Sequence, residues 1–301
     1  MSQKRRLTAV DILLLLGAIL PIVAIIVLQI LTKPASEGIS LSGAYIYFTV
    51  DMPLQPLYIT EAQINSWAVI ITVTCLCLFL TRGMKVDKPS ARQHLAEWIV
   101  EKTEGLVKDN MDPFFSNYGP FICAILGLSA FSSLLSLFGL FPPTSDLNVV
   151  GGWAVLVFIL ITYYKFKCGP WGYAKSFAQP VALLTPINII SEVATPISMA
   201  FRHYGNVLSG TVISVLVASG LGGLSAIVLG WLPGVLGDIP FLRIGIPAIL
   251  SIYFDVFSGC LQAFIFAMLT MMYVSGAFPA EDYAARRAKI EAKKQNKLGG
   301  N

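Results

Sequence analysis

A polytopic, all-α membrane protein is the fold class this sequence predicts, on three observations. Of its 301 residues 55% are hydrophobic and only 13% are charged, whereas soluble domains carry about a quarter charged residues. Apolar runs recur that are long enough to cross a bilayer core of ~30 Å as helices. These runs also lack the polar faces that a large soluble helical core would present to water.

The runs follow in order. The first, 10–31, "VDILLLLGAILPIVAIIVLQIL", comes after Lys4, Arg5 and Arg6. It exceeds the ~7–15 apolar residues of a signal peptide, so it reads as a retained span. The second, 64–80, ends at Arg82 and Lys85. Segment 91–110 is not a span. Leu95, Trp98, Ile99 and Leu106 share one helical face, and Glu97, Glu101, Glu104 and Lys108 the opposite one. That pattern predicts a helix lying at the membrane surface or against a partner. A third span is expected from about 120 to 141, ending at the "FPPTSD" loop, and a fourth from about 152 to 164, ending at Lys165 and Lys167.

Two further runs are over-long. From about 181 to 231 the hydrophobicity scarcely breaks. A single helix of that length would extend ~70 Å, more than an upright span needs. Either it lies steeply tilted or it breaks at "SGLGG", 219–223. The last run, about 244–278, is also too long for an upright span, which suggests a slanted pair facing something large. Six crossings result. Placing both termini, 82–118 and 165–182 on one side collects 18 of the 21 Lys and Arg there, so the positive-inside rule predicts cytoplasmic N- and C-termini.

Several chemistries are excluded. The net charge of +4 is dispersed among loops, which is no nucleic-acid footprint. The five cysteines form no CxxC pair and read as small apolar fillers. With only His94 and His203 in the chain, no metal centre is expected, nor any cofactor. No P-loop, HExxH or GxSxG motif is present, so nucleotide chemistry must belong to another chain.

One stretch stands out. Asn188, Glu192, Thr195, Arg202, Asn206 and Ser209 recur at helical steps of three, four and seven, with Met199 the apolar member of their band. An arginine at mid-membrane costs roughly 3 kcal/mol even on the gentler insertion scale. Six polar groups on one face therefore argue for a wet or partner-lined surface. The last run repeats the pattern with Asp255, Ser258 and Gln262. Glu192 lies ten residues from Arg202, ~15 Å along the axis, too far for direct pairing. An Asp255–Arg202 bridge and interhelical hydrogen bonds through Asn206 or Gln262 stay open as structural alternatives.

These residues carry a resemblance. "PINIISEVATPISMAFRHYGNVLSG", 186–210, resembles the signature helix of subunit a of F-type ATP synthases, with Pro196, Ser198, Arg202, Gly205 and Asn206 at matching positions. "LQAFIFAMLTMMYVS", 261–275, is similar to that subunit's last helix and sets Gln262 in its characteristic place. "LFGLFPPTSDLNV" and "ITEAQINSW" match as well, so the likeness covers about 59–278.

The resemblance implies a proton-translocating stator subunit beside a rotating ring of c subunits, with two offset half-channels and peripheral-stalk b subunits among its partners. It implies a bacterial plasma membrane in preference to an organellar one. Arg202 corresponds to the family's essential arginine, with Asn206 and Gln262 as polar neighbours. Asp255 and Ser209 would serve an outer-side path, and Glu192 and Asn188 a cytoplasmic-side path.

The chain departs from the family pattern at Asn188, often an acid, at His203, usually leucine, and at Thr211, often histidine or an acid. Residues 1–58 then form an N-terminal extension with an added span, 59–278 the shared membrane domain, and 279–301 a basic tail. Sodium in place of protons is the alternative ion. A stand-alone transporter for an anionic substrate would require inverted repeats and short broken helices, which the sequence lacks. A structural scaffold would leave the polar stripe without a role.

Overall fold

The computed structural model describes residues 8–32, 43–53, 55–86, 89–169, 173, 177, 182–229, 249–250, 252–278, 283–284 and 287. The basic tail beyond 287 and most of 170–181 and 230–251 fall outside these. Helices account for nearly all of the described structure, and six are long and apolar enough to cross a membrane. In chain order they are α1 (Ala9–Thr32), α2 (Glu61–Thr81), α4 (Gly119–Leu134) with flanking 3₁₀ turns, α5 (Leu147–Cys168), α6 (Thr185–Leu229), and α7 (Gly259–Gly276) with the π-helical segment Ile252–Ser258 before it. The non-spanning helix α3 occupies Ala91–Asn110, the boundaries expected from its amphipathic pattern.

The chain divides into two compact units. One is drawn from Met1–Ile99, Ala124–Val150 and His203–Phe264, the other from Val100–Cys123, Gly151–Arg202 and Ile265–Asn301.

In the first unit α1 packs along α2. Its start is fixed by a capping box. The Asp11 carboxylate accepts hydrogen bonds from the Thr8 amide (3.0 Å) and hydroxyl (2.8 Å), and the Asp11 amide donates to Thr8 Oγ1 at 3.4 Å. Arg92, at the start of α3, donates from Nη1 to Asp11 Oδ1 (3.1 Å) and from Nη2 to the Arg82 carbonyl (3.1 Å), with its guanidinium over the Phe79 ring. One side chain thus ties together the ends of three helices. Deeper in the pair, Thr72 donates to the Ala18 carbonyl at 2.9 Å. Gly17 faces Cys75 Sγ so closely that a β-carbon there would stand 3.0 Å from the sulfur, in keeping with cysteine as an apolar filler. Ile25, Ala68, Val69, Leu135 and Leu140 form an apolar cluster in this unit.

Two short antiparallel strands, β1 (Ile46–Val50) and β2 (Leu57–Thr60), lead into α2. The helical periodicity of the flanking runs gave no sign of them. The "FPPTSD" loop contains a 3₁₀ turn at Pro143–Ser145, after which Asp146 accepts from the Asn148 amide (2.9 Å) and starts α5. α5 is accordingly longer at both ends than the expected 152–164.

In the second unit the packing is aromatic. Phe114, Phe115, Tyr118, Tyr164 and Phe278 meet at centroid distances of 4.2 to 6.4 Å, mostly edge to face. Each such pair contributes about 0.5–1.5 kcal/mol beyond area burial. The Tyr118 and Tyr164 hydroxyls hydrogen-bond at 3.0 Å.

α6 decides one open question. It runs unbroken for 45 residues, about 67 Å, through both "SGLGG" and Pro196. Pro196 has no N–H, so the carbonyl four residues earlier, that of Glu192, loses its helical donor. Only 6% of the most apolar stretch of α6 is buried within the chain, against 28% for 252–276. The long helix thus keeps most of its side open.

Candidate functional site

The half of the stripe that follows Arg202 lies in the first unit. One turn beyond Arg202, Asn206 donates from Nδ2 to Gln262 Oε1 at 2.7 Å, joining α6 to α7. Gln262 is 1% exposed, and an amide carbonyl that deep needs a donor. The interhelical hydrogen bond held open by the sequence is present. Ser209, a further turn along, is exposed.

His203, beside the stripe, is fully buried with Nε2 3.4 Å from the Ser129 hydroxyl of α4. The helices approach closely around it. A β-carbon on Gly259 would lie 2.6 Å from Ser133 Cβ, and one on Gly210 would lie 3.2–3.4 Å from Phe254. Gly205 has nothing of this chain within 4 Å of its β-carbon position. The tight contacts fall at Gly210 and Gly259 instead.

Asp255 lies within the π segment and is partly buried. Here the sequence spacing misleads. Seven residues return to one face only in an α-helix, and the π turn between Asp255 and Gln262 adds about one residue per turn. The two side chains therefore do not share the single face their spacing suggested.

The half up to and including Arg202 lies in the second unit. Arg202 is exposed, and among the described residues its guanidinium has no hydrogen-bond or ion-pair partner. The buried side of α6 near it is Pro196, Met199 and Ala200. Glu192 is held elsewhere. Lys165 Nζ of α5 donates to both of its carboxylate oxygens at 2.6 Å, and the Tyr173 hydroxyl donates to Oε1 at 3.4 Å. Burial first, and Glu192 second, push the Tyr173 phenol above its ordinary range, so it stays a donor. Asn188 donates to the Phe177 carbonyl at 2.8 Å.

Lys165 was legible only as a charge closing an apolar run. Its partner is 27 residues away on another helix, and no local spacing points to it. No group of three or more metal-ligating side chains occurs among the described residues.

A multi-pass membrane protein with polar and charged side chains set along its longest spanning helix is built to move ions or polar solutes, not merely to anchor. The family model described as ATP synthase A chain matches residues 64–275. The ATP synthase subunit a of Priestia megaterium is 33% identical over 237 residues, covering 73% of this chain and 93% of that protein. That of Anoxybacillus flavithermus is 32% identical over 242 residues, 71% of this chain and 96% of the relative. A Bradyrhizobium protein named ATP synthase subunit a 2 is 28% identical over 227 residues, 74% and 90% of the two chains. The chain belongs to the ATP synthase A chain family, that of the proton-translocating stator subunit, and is a membrane component of an ATP synthase complex. α1 and the two strands precede the matched region.

Proposed function

We propose that Arg202 is the electrostatic separator of this stator subunit, facing the carboxylates of a rotating c-ring across the open side of α6. The observation that carries this is a permanent cation left exposed, with no partner among the described residues, on the longest spanning helix. Guanidinium does not deprotonate in a protein, so the charge needs an anion or water. A fixed cation favours the ionised form of a carboxylate brought beside it and so releases its proton. It also repels a cation moving directly from one half-channel to the other.

Around it, Asn206 and Gln262 are the polar neighbours. Asp255 and Ser209 belong to the path on one side of the membrane, and Glu192 and Asn188 to the path on the other. The proton is the coupling ion. The c subunits and peripheral-stalk b subunits are the partners, and both termini face the cytoplasm of a bacterial plasma membrane. Residues 59–278 form the membrane domain, with 1–58 an extension and 279–301 a basic tail.

Arg202→Ala tests the reading in the whole complex reconstituted in vesicles. ATP synthesis driven by an imposed proton gradient is expected to fall to background in a complex that still assembles. Normal coupled synthesis would overturn the assignment.

A further inference from the structure

The second unit contains a cavity of about 300 Å³ lined by Ile161 and Lys165 of α5, Glu192 and Thr195 of α6, and Met272 and Tyr273 of α7, among others. Its wall carries the Lys165–Glu192 pair. Both side chains are largely withdrawn from solvent, 27% and 16% exposed. We propose that Lys165 is a positioning residue that holds the Glu192 carboxylate at this wall, making the cavity the water-accessible mouth of one half of the ion path. This rests on the stator reading above.

Three features support it. The single ammonium is shared by both carboxylate oxygens at 2.6 Å while lying 5.5 Å over the Tyr173 ring, so the lysine fixes the carboxylate from one side only. The cavity has room for several waters at ~30 Å³ each, and an ordered water requires two to four polar partners. The lining residues can supply them: the Glu192 carboxylate, and the Thr195 hydroxyl, which donates to Ser191 O at 3.0 Å and can still accept. A purely structural ion pair would not require a wet acceptor set beside it.

The test uses the whole complex in phospholipid vesicles and reads gradient-driven ATP synthesis in four variants: K165Q, K165R, the exchanged pair K165E/E192K, and R202A. K165Q is expected to lower synthesis about ten-fold, while K165R retains at least half and the exchanged pair recovers several-fold over K165Q. Wild-type synthesis in K165Q, with synthesis lost in R202A, overturns the role of Lys165 alone; synthesis retained in R202A overturns the stator reading. A second measurement does not depend on altering Lys165. With the five native cysteines replaced, T195C is expected to react with a water-soluble thiol reagent in the assembled complex, and failure to react overturns the wet cavity.

Discussion

Arg92 and Arg202 are chemically identical cations whose surroundings are opposite. Arg92 is saturated by its own chain: a carboxylate at 3.1 Å, a carbonyl at 3.1 Å and an aromatic face beneath the guanidinium. Its side chain is 18% exposed and its partner Asp11 only 5%. Arg202 is exposed and has no such partner among the described residues. A chain that can fully satisfy one arginine has the means to satisfy another. On the reading proposed above, the anion for Arg202 comes from outside the chain. The contrast would then separate a residue that holds the fold from one that acts on a partner.

Substitutions can break or sharpen this contrast. The largest effects should be of opposite kinds. Arg202→Ala should abolish gradient-driven synthesis and leave the thermal unfolding of the complex within a few degrees of wild type. Arg92→Ala should leave the Asp11 carboxylate without its cation in a mostly buried place. The carboxylate keeps its two Thr8 hydrogen bonds, and the loss of the tie between the helix ends should appear as a lower Tm and reduced yield. If Arg202→Ala proved the more destabilising of the two in unfolding measurements, the contrast would collapse.

Gly259→Ala comes next. Its new methyl would meet Ser133 Cβ at 2.6 Å, and overpacking of this kind costs about 1–3 kcal/mol. Partial recovery in the double variant Gly259→Ala/Ser133→Gly checks the cause.

Asn206→Ala removes the donor to the buried Gln262 carbonyl, at about 1–3 kcal/mol for an unsatisfied buried group. Gln262→Leu added to Asn206→Ala should restore much of the stability but none of the synthesis, which would separate the structural from the ionic role of the pair.

The smallest effect is expected at Thr72→Val, which loses one interhelical hydrogen bond to Ala18 O, worth about 0.6 kcal/mol between membrane helices. A large drop in α1 protection from proteolysis would show that this bond, not Arg92, pins the added span.

Whatever depended on local periodicity was legible in the sequence. Six spans, the boundaries of α3 and the stripe through Asn206 follow from 3.6-residue spacing and apolar length, and the structure has them. Long-range geometry was not legible. Leu95 and Trp98, on the face of α3 read as turned to the membrane surface or a partner, are 49% and 56% exposed, but nothing in the sequence marked Gln93, Ala96, Thr103 and Val107 as the residues the chain itself buries. Glycine clusters suggested a break in α6 because glycine weakens isolated helices. In a membrane every backbone group must be bonded within the helix, which favours continuity. The partner of Glu192 required knowing which residue α5 sets against α6, a packing fact with no sequence period.

The π segment at Ile252–Ser258 acts as a phase shifter. Each residue of an α-helix turns about 100°, so a seam that absorbs an extra residue rotates everything on its N-terminal side relative to α7. Gly259, wedged against Ser133 just beyond the seam, holds the other side still. Deleting a single residue within 256–258, in place of substituting any, would convert the seam to regular helix and swing Asp255 about the axis while leaving Gln262 on Asn206. Within this helix, aim is set by how many residues precede the wedge as much as by which ones they are.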